Sequence, residues 1–166
     1  MENDLIYHEI ITSKRTTLLF LVLTSAFFVL FIWRILLTGF NFLTILLLSL
    51  FIFFLFYSIN YQKLEIHMTD DQLSLKFGLF KWIVPYENIA KYKLDEIPTF
   101  SYYGGAGIHF TFVRGRYRAS FNFLEYSRVV IVFRNKIGPI QELSFSSKNP
   151  EVILKELDQI NVMTQR

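Results

Sequence analysis

Three glycines stand within four positions of the stretch SYYGGAGIHF, residues 101–110, and such a cluster can cradle a phosphate. A P-loop needs Lys and then Ser or Thr directly after its glycines, at the opening of a helix. Here Ile108, His109 and Phe110 follow, and they read as strand. A dinucleotide fingerprint needs G-x-G-x-x-G between a strand and a helix. Gly105-Ala106-Gly107 supplies its first half, and Phe110 stands where the last glycine belongs. The glycines are therefore expected to provide positive φ and close backbone approach at a bend, not a phosphate site.

Other candidate chemistry is sparse. His8, His67 and His109 are scattered; His67 and His109 could meet with Asp70 or Asp71, yet no ligand spacing recurs. Asp70-Asp71 and Asp95-Glu96 read as turn pairs. Glu125 and Glu142 have no nucleophile or second acid at a telling distance. No cysteine is present, which removes thiolate metal sites, disulfides and cysteine nucleophiles. The expectation is a chain with no catalytic residue, no metal, no cofactor and no small-molecule substrate, hence not an enzyme.

One surface feature stands out. In VRGRYR, Arg114, Arg116 and Arg118 share one parity, so an extended strand projects all three from one face. Near an anionic bilayer each is worth about 1 kcal/mol. An acidic patch on a partner would suit them equally. Tyr102 and Tyr103, on the glycine loop, are candidates for the same lipid or partner contact. The net charge of +3 calls for no nucleic-acid partner.

The elements that must position these residues divide the chain in two. From Thr16 to Gln62 the single charged residue is Arg34, whereas charges recur every few residues from Lys63 onward. Two uncharged runs, Thr17–Trp33 (extendable to Leu37 if Arg34 snorkels) and Phe42–Ile59, have the length of membrane-crossing helices. Residues 1–16 then form an N-terminal cytoplasmic segment. Residues 17–61 form a transmembrane hairpin, with helices at about 17–37 and 41–60, and residues 63–166 a separate domain. Trp33, Tyr57 and Tyr61 fall where aromatic belts lie. Lys14, Arg15 and Lys63 flank the open end of the hairpin, so both termini are expected on the cytoplasmic side of the cell membrane.

Beyond Lys63, period-two alternation dominates. Leu64, Ile66 and Met68, then Leu73, Leu75 and Phe77, face one way across a TDDQ turn. KWIVPYENI, AKYKL, IHFTF, YRASFNF, RVVIVFR and IQELSF continue as strands, RVVIVFR being apolar on both faces as a central strand would be. Within YRASFNF, Arg116, Arg118, Ser120 and Asn122 take the polar face. Asn149, Pro150 and Glu151 open a final helix whose stripe is Ile153, Leu157 and Ile160.

About seven or eight antiparallel strands closed by one C-terminal helix is the layout of a pleckstrin-homology (PH)-like barrel. The chain resembles bacterial PH-domain proteins, in which two membrane helices precede a small PH-like domain. DDQLSLKFGLFKWIVPYENIAKY, YYGGAGIHF, RASFNF, VVIVF and SFSSKNPEVILKEL carry the resemblance across residues 64–160. It implies an α+β membrane protein with a transmembrane hairpin and a cytoplasmic PH-like barrel of about seven strands, and it supplies no ligand. PH domains similar in layout bind phosphoinositides through basic residues at the first hairpin turn; here that turn is Thr69-Asp70-Asp71-Gln72, which repels phosphate. The expected function is a membrane-anchored, non-enzymatic module that binds a membrane protein partner or assembles with itself. The alternative is a sensor of anionic lipid surface working through the arginine-bearing strand.

Overall fold

Two side-chain caps start the two apolar helices. In the computed structural model, which describes residues 5–95 and 106–164 (side chains of 161–164 excepted), α1 spans Lys14–Thr38 and α2 spans Phe42–Asn60. Ser13 Oγ accepts the Thr16 N–H at 3.0 Å, and Asn41 Oδ1 accepts the Thr44 N–H at 3.1 Å. At 1.5 Å per residue the helices run about 37 and 28 Å. Both are long and apolar enough to cross a membrane. They pack through the stacked rings of Phe27 and Phe54, 5.1 Å apart, and through a 2.9 Å hydrogen bond between the Thr24 and Ser58 hydroxyls. Leu18, Val29, Phe42, Ile45 and Ile52 point outward, so apolar surface continues around the pair. Arg34 lies half-buried near the end of α1.

The β-rich part begins earlier than Lys63. Strand β1 (Leu5–Thr12) precedes α1 and pairs antiparallel with β2 (Lys63–Thr69), which follows α2. β3 (Gln72–Phe77) and β4 (Phe80–Pro85) complete an antiparallel sheet in the order β1-β2-β3-β4. Residues 5–12, expected within a plain N-terminal segment, are thus an edge strand. The reason the alternation hides it is Glu9, which points inward beside Ile11 while Ile6 and Ile10 point out. Its buried carboxylate accepts from the Ser147 hydroxyl at 2.7 Å and the Lys148 N–H at 2.9 Å.

A short 3-10 turn (Tyr86–Asn88) leads to the second sheet. Its strands are β5 (Ile89–Leu94), β6 (Gly107–Val113), β7 (Arg116–Asn122), β8 (Ser127–Ile137) and β9 (Ile140–Ser147), in the order β5-β8-β9-β7-β6. All neighbours are antiparallel except β7 and β9, which run parallel. The two sheets do not close into one barrel: among the described residues β4 and β6 are unpaired on their outer sides. The expected single barrel is replaced by two sheets facing across an apolar core, with Phe77 against Phe123 at 5.0 Å and Trp82 against Phe121 at 6.1 Å. Helix α3 (Pro150–Thr164) adds Ile153, Leu157 and Ile160 to that core, as their spacing predicts.

The helix pair is fastened to the β-rich part at one end. Glu125, in the β7–β8 turn, accepts the Ser13 hydroxyl and the Arg15 N–H, both at 2.9 Å. The Arg15 N–H foremost, with the Ser13 hydroxyl and the nearby Arg15 and Lys14 charges, holds the Glu125 carboxyl below its ordinary range. The Tyr126 hydroxyl donates to the Thr12 carbonyl at 2.9 Å. On the other side, Leu79 N–H donates to Asn60 Oδ1 at 3.2 Å. Gly107 opens β6 with φ +101, and a Cβ there would stand 3.3 Å from the Tyr61 ring. The expected close backbone approach is found at this glycine.

Candidate functional site

The arginine stripe divides into three different environments. Arg116 and Arg118 share a face of β7, as their parity requires. Arg114 does not stand on that strand. It occupies the two-residue β6–β7 turn with Gly115, at φ +49 and +80, the two left-handed positions of a type I′ turn. Such turns favour Asn, Asp and Gly, so an arginine there carries a local conformational cost.

Arg118 is buried, with its side chain 4% exposed. Its Nε donates to Glu142 Oε2 at 2.7 Å, a second guanidinium nitrogen bonds the same carboxylate, and its third nitrogen meets Asp95 Oδ2 at 3.3 Å. Asp95 also meets Arg128 Nε at 3.3 Å, and Glu142 meets the half-exposed Arg116 at 3.1 Å. The result is a chain of alternating charge, Arg116–Glu142–Arg118–Asp95–Arg128. Register explains its centre, because Arg118 and Glu142 are directly paired across the parallel β7–β9 ladder. Burial makes each member depend on its neighbours, since an unpaired charge there is costly.

Beyond the ion network, the polar face of β7 and β9 is not a solvated one. Ser120, Asn122 and Ser144 are fully buried on it, alongside Arg118 and Glu142. Sequence alternation identifies that face as polar and does not reveal its burial.

Beside the network lies a cleft of about 360 Å³. Val132 and Glu142 form its floor, Lys91 and Lys93 one wall, and Arg114 and Arg116 the other, with Asp95 and Arg118 also lining it. The walls come from β5 and the β6–β7 hairpin, three strand spacings apart, or about 14 Å. Five cationic side chains line the cleft against two carboxylates, and both carboxylates are engaged in the buried network. Lys91, Lys93 and Arg114 form no ion pair among the described residues. Alternation in AKYKL puts Lys91 and Lys93 on one face; only the β5–β8 pairing, Lys91 with Val132 and Lys93 with Val130, brings that face to the arginines.

The cleft extends toward the end away from α1 and α2: Lys93 is level with His109, Lys91 with Thr111, and the Arg114 turn lies farthest out. Gly107, at the start of β6, touches the level of Tyr61; the Arg114–Gly115 turn follows the end of β6, six residue steps or about 20 Å along the strand. The β7–β8 turn that holds Ser13 is likewise at the opposite end of β7 from Arg116.

Of the other sequence candidates, Tyr102 and Tyr103 lie outside the described residues, as do Gly104, Gly105 and Glu96. His67 stacks on His8, with ring centroids 4.2 Å apart, and not on His109. His109 shares a 2.8 Å hydrogen bond with the Ala106 carbonyl. No group of three or more metal-ligating side chains occurs among the described residues. No family model, no curated protein and no solved structure matches the chain.

Proposed function

We propose that this chain is a non-enzymatic, membrane-anchored interaction module that docks an acidic segment of a protein partner in its cationic cleft. In this reading α1 and α2 cross the bilayer, both termini are cytoplasmic, and the β-rich part is a PH-like head. The succession of a four-stranded sheet, a second sheet and a C-terminal helix supports the PH-like assignment.

The observation that carries the docking reading is the positive charge of Lys91, Lys93 and Arg114 around one concavity, unpaired among the described residues. Arg114 adds weight, because an arginine kept at a left-handed turn position argues for a use of its side chain. An acidic peptide suits a cleft that crosses several strands with a lysine wall and an arginine wall. Two copies meeting cleft to cleft would bring like charges together, which disfavours that form of self-assembly. The anionic-lipid reading is weaker for the arginine wall, because the Arg114 turn stands about 20 Å along β6 from the attachment of α2, beyond a Debye length.

The test uses the full chain in nanodiscs of zwitterionic lipid and an oligoglutamate peptide as probe. The peptide is expected to bind, with affinity falling as salt rises. The double variant Lys91→Glu, Arg114→Glu is expected to associate roughly 10-fold or more slowly at low salt. Equal binding by variant and wild type would overturn the reading. Loss of binding to anionic vesicles, with peptide binding unchanged, would transfer the cleft to lipid.

A further inference from the structure

The β3–β4 turn presents apolar side chains where a turn in water does not need them. Gly78 sits at φ +59 and Leu79 follows at ordinary φ, which makes a type II′ hairpin with glycine at its first central position. The second central position ordinarily takes Asn, Asp or Ser, yet Leu79 stands there 80% exposed, and Phe80 beside it is 42% exposed. The turn is fixed to the last residue of α2: Leu79 N–H bonds Asn60 Oδ1, and Asn60 Nδ2 bonds the Phe56 carbonyl at 2.9 Å. The Phe80 ring lies 6.2 Å from the ring of Phe56, so apolar surface runs without a break from α2 onto the turn.

Behind the turn is a groove of about 350 Å³ between the unpaired edges of β4 and β6. Tyr57, Tyr61, Phe80, Trp82 and Phe110 line it, and Lys81 is its one cation among the lining residues. Lys81 forms no ion pair among the described residues. Lys81 alternates with Phe80 and Trp82 along β4 and pairs with Lys76, so its side chain stands on the outer face of the edge that bounds the groove. Aromatic walls with a cation at their rim match a phospholipid, whose acyl chain and phosphate are offered together.

We propose that this turn and groove form a lipid-binding surface, with Leu79 and Phe80 in the boundary between headgroups and acyl chains and Lys81 on a lipid phosphate. The inference rests on the reading that α2 crosses the bilayer; its own content is a second, non-helical contact with the same membrane. Continuity with the outward apolar surface of α2 selects lipid over a soluble partner.

Because the chain has no cysteine, single labels can be placed without background. Spin labels on Leu79→Cys, Leu46→Cys and Asp70→Cys, each in the full chain in nanodiscs of phosphatidylcholine and phosphatidylglycerol, are compared for collision with oxygen and with a water-soluble nickel chelate. Leu46 is an outward residue within α2, and Asp70 is an exposed residue of the β2–β3 turn. The label at 79 is expected to match that at 46, with nickel access lost and oxygen access gained relative to 70. A nickel-accessible label at 79 beside a protected label at 46 would overturn the lipid surface and leave the spanning helices standing. Nickel access at both 79 and 46 would overturn both.

Discussion

Truncation of Arg118 to alanine is expected to destabilise the protein by about 3–5 kcal/mol, the range for breaking a buried ion pair from one side. The loss comes from what stays behind. Glu142 and Asp95 are 7% and 2% exposed, and each loses the buried cation that links it to the other. Arg116 and Arg128 remain beside Glu142 and Asp95, but neither replaces the guanidinium that joins the two carboxylates. Arg118→Lys is not a rescue, because one ammonium cannot reach two carboxylates with the fork of a guanidinium. Arg114→Ala is the control: exposed, without an ion pair among the described residues and at a left-handed position, it is expected to alter stability by no more than about 0.5 kcal/mol. Urea or thermal unfolding of both variants in detergent decides the matter. A small loss for Arg118, or an equal loss for Arg114, would contradict the division of the stripe into a structural and a functional arginine.

Gly78→Ala is expected to cost about 2–4 kcal/mol, through a left-handed residue that gains a side chain and a backbone collision. A Cβ at Gly78 would fall 2.4 Å from the Asn60 carbonyl oxygen and 2.8 Å from its Cα. Neither atom is a flexible side-chain end, so the turn must leave the end of α2. The hydrogen bond from Leu79 N–H to Asn60 goes with it. Gly115→Ala separates the two contributions, since φ is +80 there with open space around it, and the backbone preference alone is lost. Comparable losses at both glycines in the same unfolding assay would show that the contact with Asn60 carries nothing.

What was legible in the sequence follows from local pattern. The scarcity of charge between Thr16 and Gln62, where Arg34 stands alone, marks the helix pair; alternation marks β2, β3, β7 and β9, and a run apolar on both faces marks β8. The spacing of Ile153, Leu157 and Ile160 marks α3. β1 was not legible, because its inward Glu9 depends on Ser147 and Lys148, more than a hundred residues away. Sheet order was not legible either: the parallel β7–β9 pairing is a long-range choice that leaves no periodic trace. For the same reason parity could align Arg116 with Arg118 and could not foresee that Glu142 consumes Arg118. The β6–β7 turn carries Arg-Gly and lacks the Asn-Gly or Asp-Gly signal, so Arg114 reads as strand until the register is known. Lys91 and Lys93 belong to the candidate site only because β5 lies beside β8.

The reading as a whole depends on α1 and α2 crossing a bilayer with the β-rich head on its cytoplasmic side. Cysteines introduced singly at Phe40, between the helices, and at Asp70, on the head, test this with a membrane-impermeant maleimide applied to cells expressing the protein. Residue 40 is expected to label in intact cells, and residue 70 only after permeabilisation. Labelling of both positions from the same side would contradict the account.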